Sequence, residues 1–214
     1  MTRIFIFTFA LILFLFSTLT SQTFNNPPDY YRMSPKSFLQ SRQVLNRFTD
    51  KYIDVELVEA TIFHQVNLVR QQKGLGLFQY HPKLNLTARK HSEEMVQLNY
   101  FSHESPKRED ATLRERLQNG GVQWRGEVAE NIALTFTKSV ITGGYIPSQL
   151  ARYPYDTYLL FAQTVVNHWM ESTGHRENIL NPRLKLMGIG ICRGKYQSLD
   201  AIYTTQVFAL HILN

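Results

Sequence analysis

The chain closes on two runs, "LMGIGICRG" (186–194) and "AIYTTQVFAL" (201–210), separated by a short polar stretch. Their β-branched and aromatic content reads as two antiparallel strands joined by a turn. What precedes them has a different period. From Asp54 to Lys73 the residues Leu57, Val58, Ile62, Val66 and Val69 recur at three-to-four spacing, which predicts an amphipathic helix that Gly74 ends. A second helix is expected from about Pro82 to Asn99, with Leu84, Leu86, Ala88, His91, Met95 and Leu98 on its apolar face. A third is expected near Thr112 to Asn119, closed by Gly120 and Gly121, and a fourth from Thr157 to Ser172 with Leu160, Val165 and Trp169 inward. "LGLFQYHPKL" reads as an extended link, "VAENIAL" as a loop entering a short strand, and "GHRENILNPRLK" as a loop with one helical turn. Helices lead and strands close the chain. That order predicts an α+β fold with an antiparallel sheet flanked by helices.

The remaining segments set the context. The start, "MTRIFIFTFALILFLFSTLTSQ", places Arg3 before an apolar run from Ile4 to Phe16. That run is short for a membrane span and fits the core of a signal peptide cut near Ser21, with an uncleaved anchor as the alternative. No cysteine follows it to accept a lipid. The expected division is therefore a signal peptide at 1–21, a partly irregular leader at 22–53 and a domain at 54–214, secreted or held at the cell envelope as a monomer. Within the leader, Ser34 and Pro35 suit the start of a short helix. Cys192, the single cysteine, rules out an intrachain disulfide and reads as a packed thiol. The net charge of +6 comes from scattered Lys and Arg, with no dense basic block, so a nucleic-acid partner is not expected. A Gly-, Pro- and Tyr-rich insertion near 137–160, with Tyr145, Tyr153, Tyr155 and Tyr158, reads equally as a ligand rim or as a cover over a sheet edge.

The chemistry-bearing residues lie in loops. His103 in "NYFSHESP" and His175 in "STGHREN" each follow a helix and are flanked by small or hydroxyl residues. Glu127 and Glu130 stand in "GEVAENIA", and Glu130 precedes an apolar run, so it needs a partner once buried. A neutral imidazole is a natural one, donating from one nitrogen and keeping the other for a metal or water. His168 and His175 are seven apart, with Gly174 expected to break the helix between them, so they are not a helical zinc pair. His168 and Glu171 read as helix-surface residues and Trp169 as core. No nucleophile elbow, phosphate loop or dinucleotide fingerprint is present.

In series, "FSH", "ENIA" and "GHRENIL", with a tryptophan helix before the last, resemble the CAP superfamily of cysteine-rich secretory proteins, antigen five and group-one pathogenesis-related proteins. The likeness covers roughly residues 56–210 and is closest to the cysteine-poor bacterial SCP-like branch. It implies an α-β-α sandwich with a central antiparallel sheet between helical layers, and a surface cleft with two histidines and acidic residues. His103 and His175 match the two cavity histidines, and Glu130 matches the glutamate of the Glu-Asn motif. Animal and plant members place a second glutamate three residues after the tryptophan. Here that position is Ser172, with Glu171 beside it.

Three readings follow. In the favoured one the protein is a non-enzymatic binding module. Its cleft of His103, Glu130, Ser172 and His175 holds a small-molecule, lipid or cell-surface ligand. His103 and His175 are the ligands for a weakly bound zinc or other divalent cation. In the second it is a zinc-dependent hydrolase with Glu130 as general base and Ser172 as auxiliary donor. In the third the cluster is only a hydrogen-bonded network anchoring two loops.

Overall fold

The computed structural model describes residues 27–48, 52–136 and 157–213. The expected signal peptide, and the insertion over 137–156 with Tyr145, Tyr153 and Tyr155, lie outside these residues. In order, the chain forms α1 (Pro27–Tyr30), α2 (Pro35–Leu39), a 3-10 turn (Arg42–Leu45), α3 (Val55–Gln72), β1 (Gln79–Tyr80) and α4 (Pro82–Gln97). A second 3-10 turn (Arg108–Asp110), α5 (Leu113–Asn119), β2 (Gln123–Phe136), α6 (Tyr158–Glu171), α7 (Thr173–Leu180), β3 (Leu186–Tyr196) and β4 (Leu199–Leu213) follow.

The sheet order is β1-β3-β4-β2. Its three long strands are antiparallel, as the terminal pattern predicts, while the two-residue β1 pairs parallel with β3. Gln197 and Ser198, both at positive φ, make the tight turn between β3 and β4, the backbone that matches the twist of a hairpin. Side chains alternate along β3. Met187, Ile189 and Ile191 enter the main core with Val58, Ile62, Val66, Phe161, Val165 and Trp169 of α3 and α6. Gly188 and Gly190 face the other way. A Cβ on either would lie 2.1 Å from the Asn85 nitrogen or 2.0 Å from the Arg89 nitrogen, so α4 rests directly on the strand backbone. Helices α4 and α5 thus cover one face and α3, α6 and α7 the other, giving the α-β-α sandwich.

β1 covers only the first residues of β3. Beyond it, Asn85 Oδ1 accepts from the Ile189 N–H (3.3 Å) and Glu59 Oε1 from the Ile191 N–H (3.2 Å). Side chains from α4 and α3 therefore finish the edge that a longer strand would have paired. Arg89 balances the buried Glu59 through two hydrogen bonds of 3.0 and 2.7 Å.

Several local expectations are corrected. Leu86 of α4, Leu98 at its C-cap and Leu160 of α6 are exposed, not inward. β2 begins at Gln123 rather than near Val128, and "TGHRENIL" is an eight-residue helix rather than a single turn. The break before it falls at Ser172, whose extended backbone (φ −82°, ψ 127°) both ends α6 and starts α7; Gly174 lies inside α7. Tyr158, expected in the insertion, is buried in the first turn of α6 and its hydroxyl accepts from the Asp54 N–H at 3.0 Å. In the leader, Ser34 caps α2 as the sequence predicts, and Phe38, Leu39 and Val44 are buried in the main core.

Candidate functional site

Glu130 and Asn131 are neighbours on β2, the edge strand, and so point to opposite faces of the sheet. Each organises one histidine.

On the α4 side, α4 ends in a left-handed turn. Asn99 has φ 54°, its N–H bonds to Val96 O, and the Tyr100 N–H bonds to Met95 O, the pairing of a Schellman motif. This turns the chain into "NYFSHES". Glu94 then gathers that loop, accepting from the Tyr100 hydroxyl (2.6 Å) and the Ser105 hydroxyl and pairing with Lys107 Nζ (3.3 Å). His91 Nε2 donates to Ser102 O at 3.1 Å. The loop so fixed brings His103 Nδ1 to 2.9 Å from Glu130 Oε1, with the His103 side chain half exposed.

Glu130 is buried, and its second oxygen is also taken. Arg116 Nη2 donates to Oε2 at 2.8 Å. The capping box of Thr112 and Glu115 starts α5, and Arg116 itself is held by Asp110 O and Ala111 O. Burial alone would raise the Glu130 carboxyl, but the His103 hydrogen bond and the Arg116 charge outweigh it and hold the group below the usual carboxylate range. His91 Nε2 lies 3.9 Å from Oε1. Burial lowers the His91 pKa, an effect that Glu130 opposes and Arg116 adds to.

On the other side, Asn131 Nδ2 donates to His175 O (3.2 Å) and to Gln206 Oε1 (2.9 Å). Asn178 Nδ2 donates to Asn131 Oδ1 (2.9 Å) and to Glu130 O (3.3 Å). These bonds dock the first turn of α7 on β2. At the far end of α7, buried Arg70 of α3 donates to Ile179 O and Asn181 O. Arg176 Nη1 bonds Met170 O at the end of α6. The result is a His175 ring whose centroid is 6.1 Å from that of His103, tilted by 51°. Burial, then the charges of His103 and His168, lower the His175 pKa.

The structure therefore brings together three of the four expected cleft residues: His103, Glu130 and His175. Ser172 is the junction of α6 and α7 and its side chain makes no capping bond there. His168 and Glu171 are exposed on α6, and Trp169 is core, with its indole N–H on Ile132 O at 3.0 Å. Glu127 is engaged elsewhere, with Asn181 and Arg183. Sequence reasoning missed Arg116 entirely, and it placed His91 only on an apolar face. The sole local sign of Arg116 is the capping box that fixes the direction of a short helix.

The two side chains that could offer nitrogens to a cation are His103 and His175. With Nδ1 bonded to Glu130, His103 keeps Nε2 for a ligand. The Nδ1 of His175 is buried and has no hydrogen-bond partner. Among the described residues no group of three or more His, Cys, Asp and Glu side chains is gathered as a metal site.

Comparison with known proteins agrees with this architecture. The chain is 29% identical over 161 residues to the Uncharacterized protein YkwD of Bacillus subtilis (strain 168), covering 75% of this chain and 51% of that protein. It thus spans about half that relative's length. A crystallised extracellular protein containing an SCP domain from Bacillus anthracis str. Ames superposes with a TM-score of 0.51 at 28% identity, over 72% of this chain and 41% of that one. An outer surface protein from Borrelia burgdorferi shares the fold at 16% identity, with a TM-score of 0.51 over 74% of this chain and 96% of its own. Residues 63–208 match the model of the CAP family, described as the cysteine-rich secretory protein family. With that match running from α3 to β4 and the three motifs meeting beside β2, the chain belongs to the CAP family, in its bacterial SCP-like form.

Proposed function

We propose that the protein is an extracytoplasmic, non-enzymatic binding module whose His103–His175 cleft holds a divalent cation or the polar end of a small, lipid or cell-surface ligand. The observation that carries this reading is the occupation of Glu130: one oxygen is bonded to His103 and the other to Arg116. A general base must reach a water, and this carboxylate is buried, with an imidazole on one oxygen and a guanidinium on the other. Its arrangement instead suits an orienting acceptor, which fixes the His103 tautomer and leaves Nε2 outward. His103 and His175 would hold the cation, with water completing its shell. A bound cation would supply a Lewis-acidic anchor for a ligand oxygen. The extracytoplasmic placement is supported by the basic-then-apolar N-terminus and by the extracellular character of the similar Bacillus anthracis protein.

Zinc titration followed by thermal melting tests the reading. Added zinc is expected to raise the Tm, and the double variant His103→Ala/His175→Ala to remove the rise. No rise in the parent, with a large loss of Tm in both single variants, would instead favour a purely structural network. Zinc-dependent ester or peptide turnover lost in Glu130→Gln would favour a hydrolase.

A further inference from the structure

We propose that Arg116 sets the affinity of this cleft for cations, by neutralising Glu130 and keeping it out of the ligand shell. The inference rests on the cation-binding reading above and names the residue that governs it.

A buried carboxylate beside two imidazoles would ordinarily be the strongest attractor for a divalent ion. Here its charge is already balanced. Arg116 is buried to the same degree as Glu130, at 7% and 8% exposure, so water screens neither side chain and their charges are felt by each other first. Arg116 is not free to swing away. Its Nη1 is held by Asp110 O and Ala111 O, and its backbone belongs to a capped helix. A cation at the outward nitrogen of His103 therefore meets a near-neutral pair rather than a bare carboxylate. Glu130 remains useful to it only through His103 Nδ1, as an orienting group one atom layer back. Attraction and repulsion from the pair nearly cancel, which makes the site weak by construction.

A charge cycle tests this, with zinc alone as probe and binding read by calorimetry and by the shift in Tm. Arg116→Gln is expected to tighten zinc binding about tenfold or more, since it releases Glu130. Glu130→Gln is expected to weaken it by about tenfold or more, leaving the guanidinium uncompensated while the amide oxygen still accepts from His103. The double variant Arg116→Gln/Glu130→Gln, neutral at both positions, is expected within about threefold of the parent, because the two charge changes cancel. A double variant as weak as Glu130→Gln would mean Glu130 is itself a ligand, and the proposal falls. So would a folded Arg116→Gln that binds zinc no more tightly than the parent. Should Arg116→Gln fail to fold without metal, the other two variants still decide. If the parent binds no zinc but Arg116→Gln does, the role of Arg116 stands and the cation-binding reading of the natural cleft fails. If no variant binds zinc, both fail.

Discussion

His64 is the residue with the clearest energetic signature. It is 1% exposed in α3, its Nε2 donates to Tyr30 O at 2.7 Å, and Phe38 stacks on it at 4.3 Å. Burial lowers its pKa from 6.5 to about 4. In the unfolded chain it takes a proton near 6.5, in the folded chain only near 4, so the unfolded state binds more protons between those values. Stability is then complete above pH 6.5 and falls as the pH drops toward 4, by roughly 3 kcal/mol from this group. His91 and His175 shift in the same direction. Glu130, held low, adds a further loss below its ordinary range. Chemical denaturation from pH 7 to pH 4 should show the decline. His64→Gln, which keeps a donor for Tyr30 O but does not titrate, should flatten it. Residues of this kind differ in how far the sequence reveals them. His103, Glu130 and His175 stand in recognisable motifs. Arg116 looks like any surface arginine in "LRERL", because its burial depends on a strand that begins beyond the end of its own helix.

At the level of elements, close backbone contact matters more than side-chain volume. Gly190→Ala would put a methyl 2.0 Å from the Arg89 backbone nitrogen, where no rotamer gives relief. It should cost about 3 kcal/mol or more by separating α4 from β3, read as a lower urea midpoint. Gly174→Ala is the contrast. It is the second residue of α7, where the new methyl would meet no other part of the structure within 4 Å beyond its own helix turn, so it should stabilise by up to about 0.5 kcal/mol in the same assay. Helices α3, α4 and α6 were readable because each buries a regular stripe. α7 was not, since Ile179 is its one buried side chain and it is held by hydrogen bonds from Asn131 and Arg70 rather than by an apolar face. The early part of β2 was hidden for a similar reason. Its first residues are largely exposed on an edge strand and carry Gly126 at a bulge.

On the scale of the molecule, the α+β class followed from the order of periodicities, but the layer assignment did not. Which face each helix covers depends on the glycine stripe of β3, a detail that looks like simple apolar sequence until α4 is placed against it. The core also reaches upstream of α3. Phe38, Leu39 and Val44 are buried against it, worth roughly 5 kcal/mol of transfer energy, part of which is offset by ordering the segment. A chain beginning at residue 54 is expected to be about 3 kcal/mol less stable than one beginning at residue 22, a fall in Tm of roughly 10 °C by calorimetry.

β4 follows every other described element in the sequence, yet lies inside the sheet with β3 on one side and β2 on the other. Asn131 meets its partner Gln206 across 75 positions of chain. Assembly therefore waits on residues 199–213. Before then β2 has no strand to pair with, although α3 already has α6, and α4 already has β3, to pack on. Such long-range closure is slow, on the order of milliseconds to seconds, and a fragment ending before residue 199 should melt without a cooperative transition. The order of synthesis thus leaves the closing of the sheet, and with it the joining of its two helical layers, to the last of the described elements.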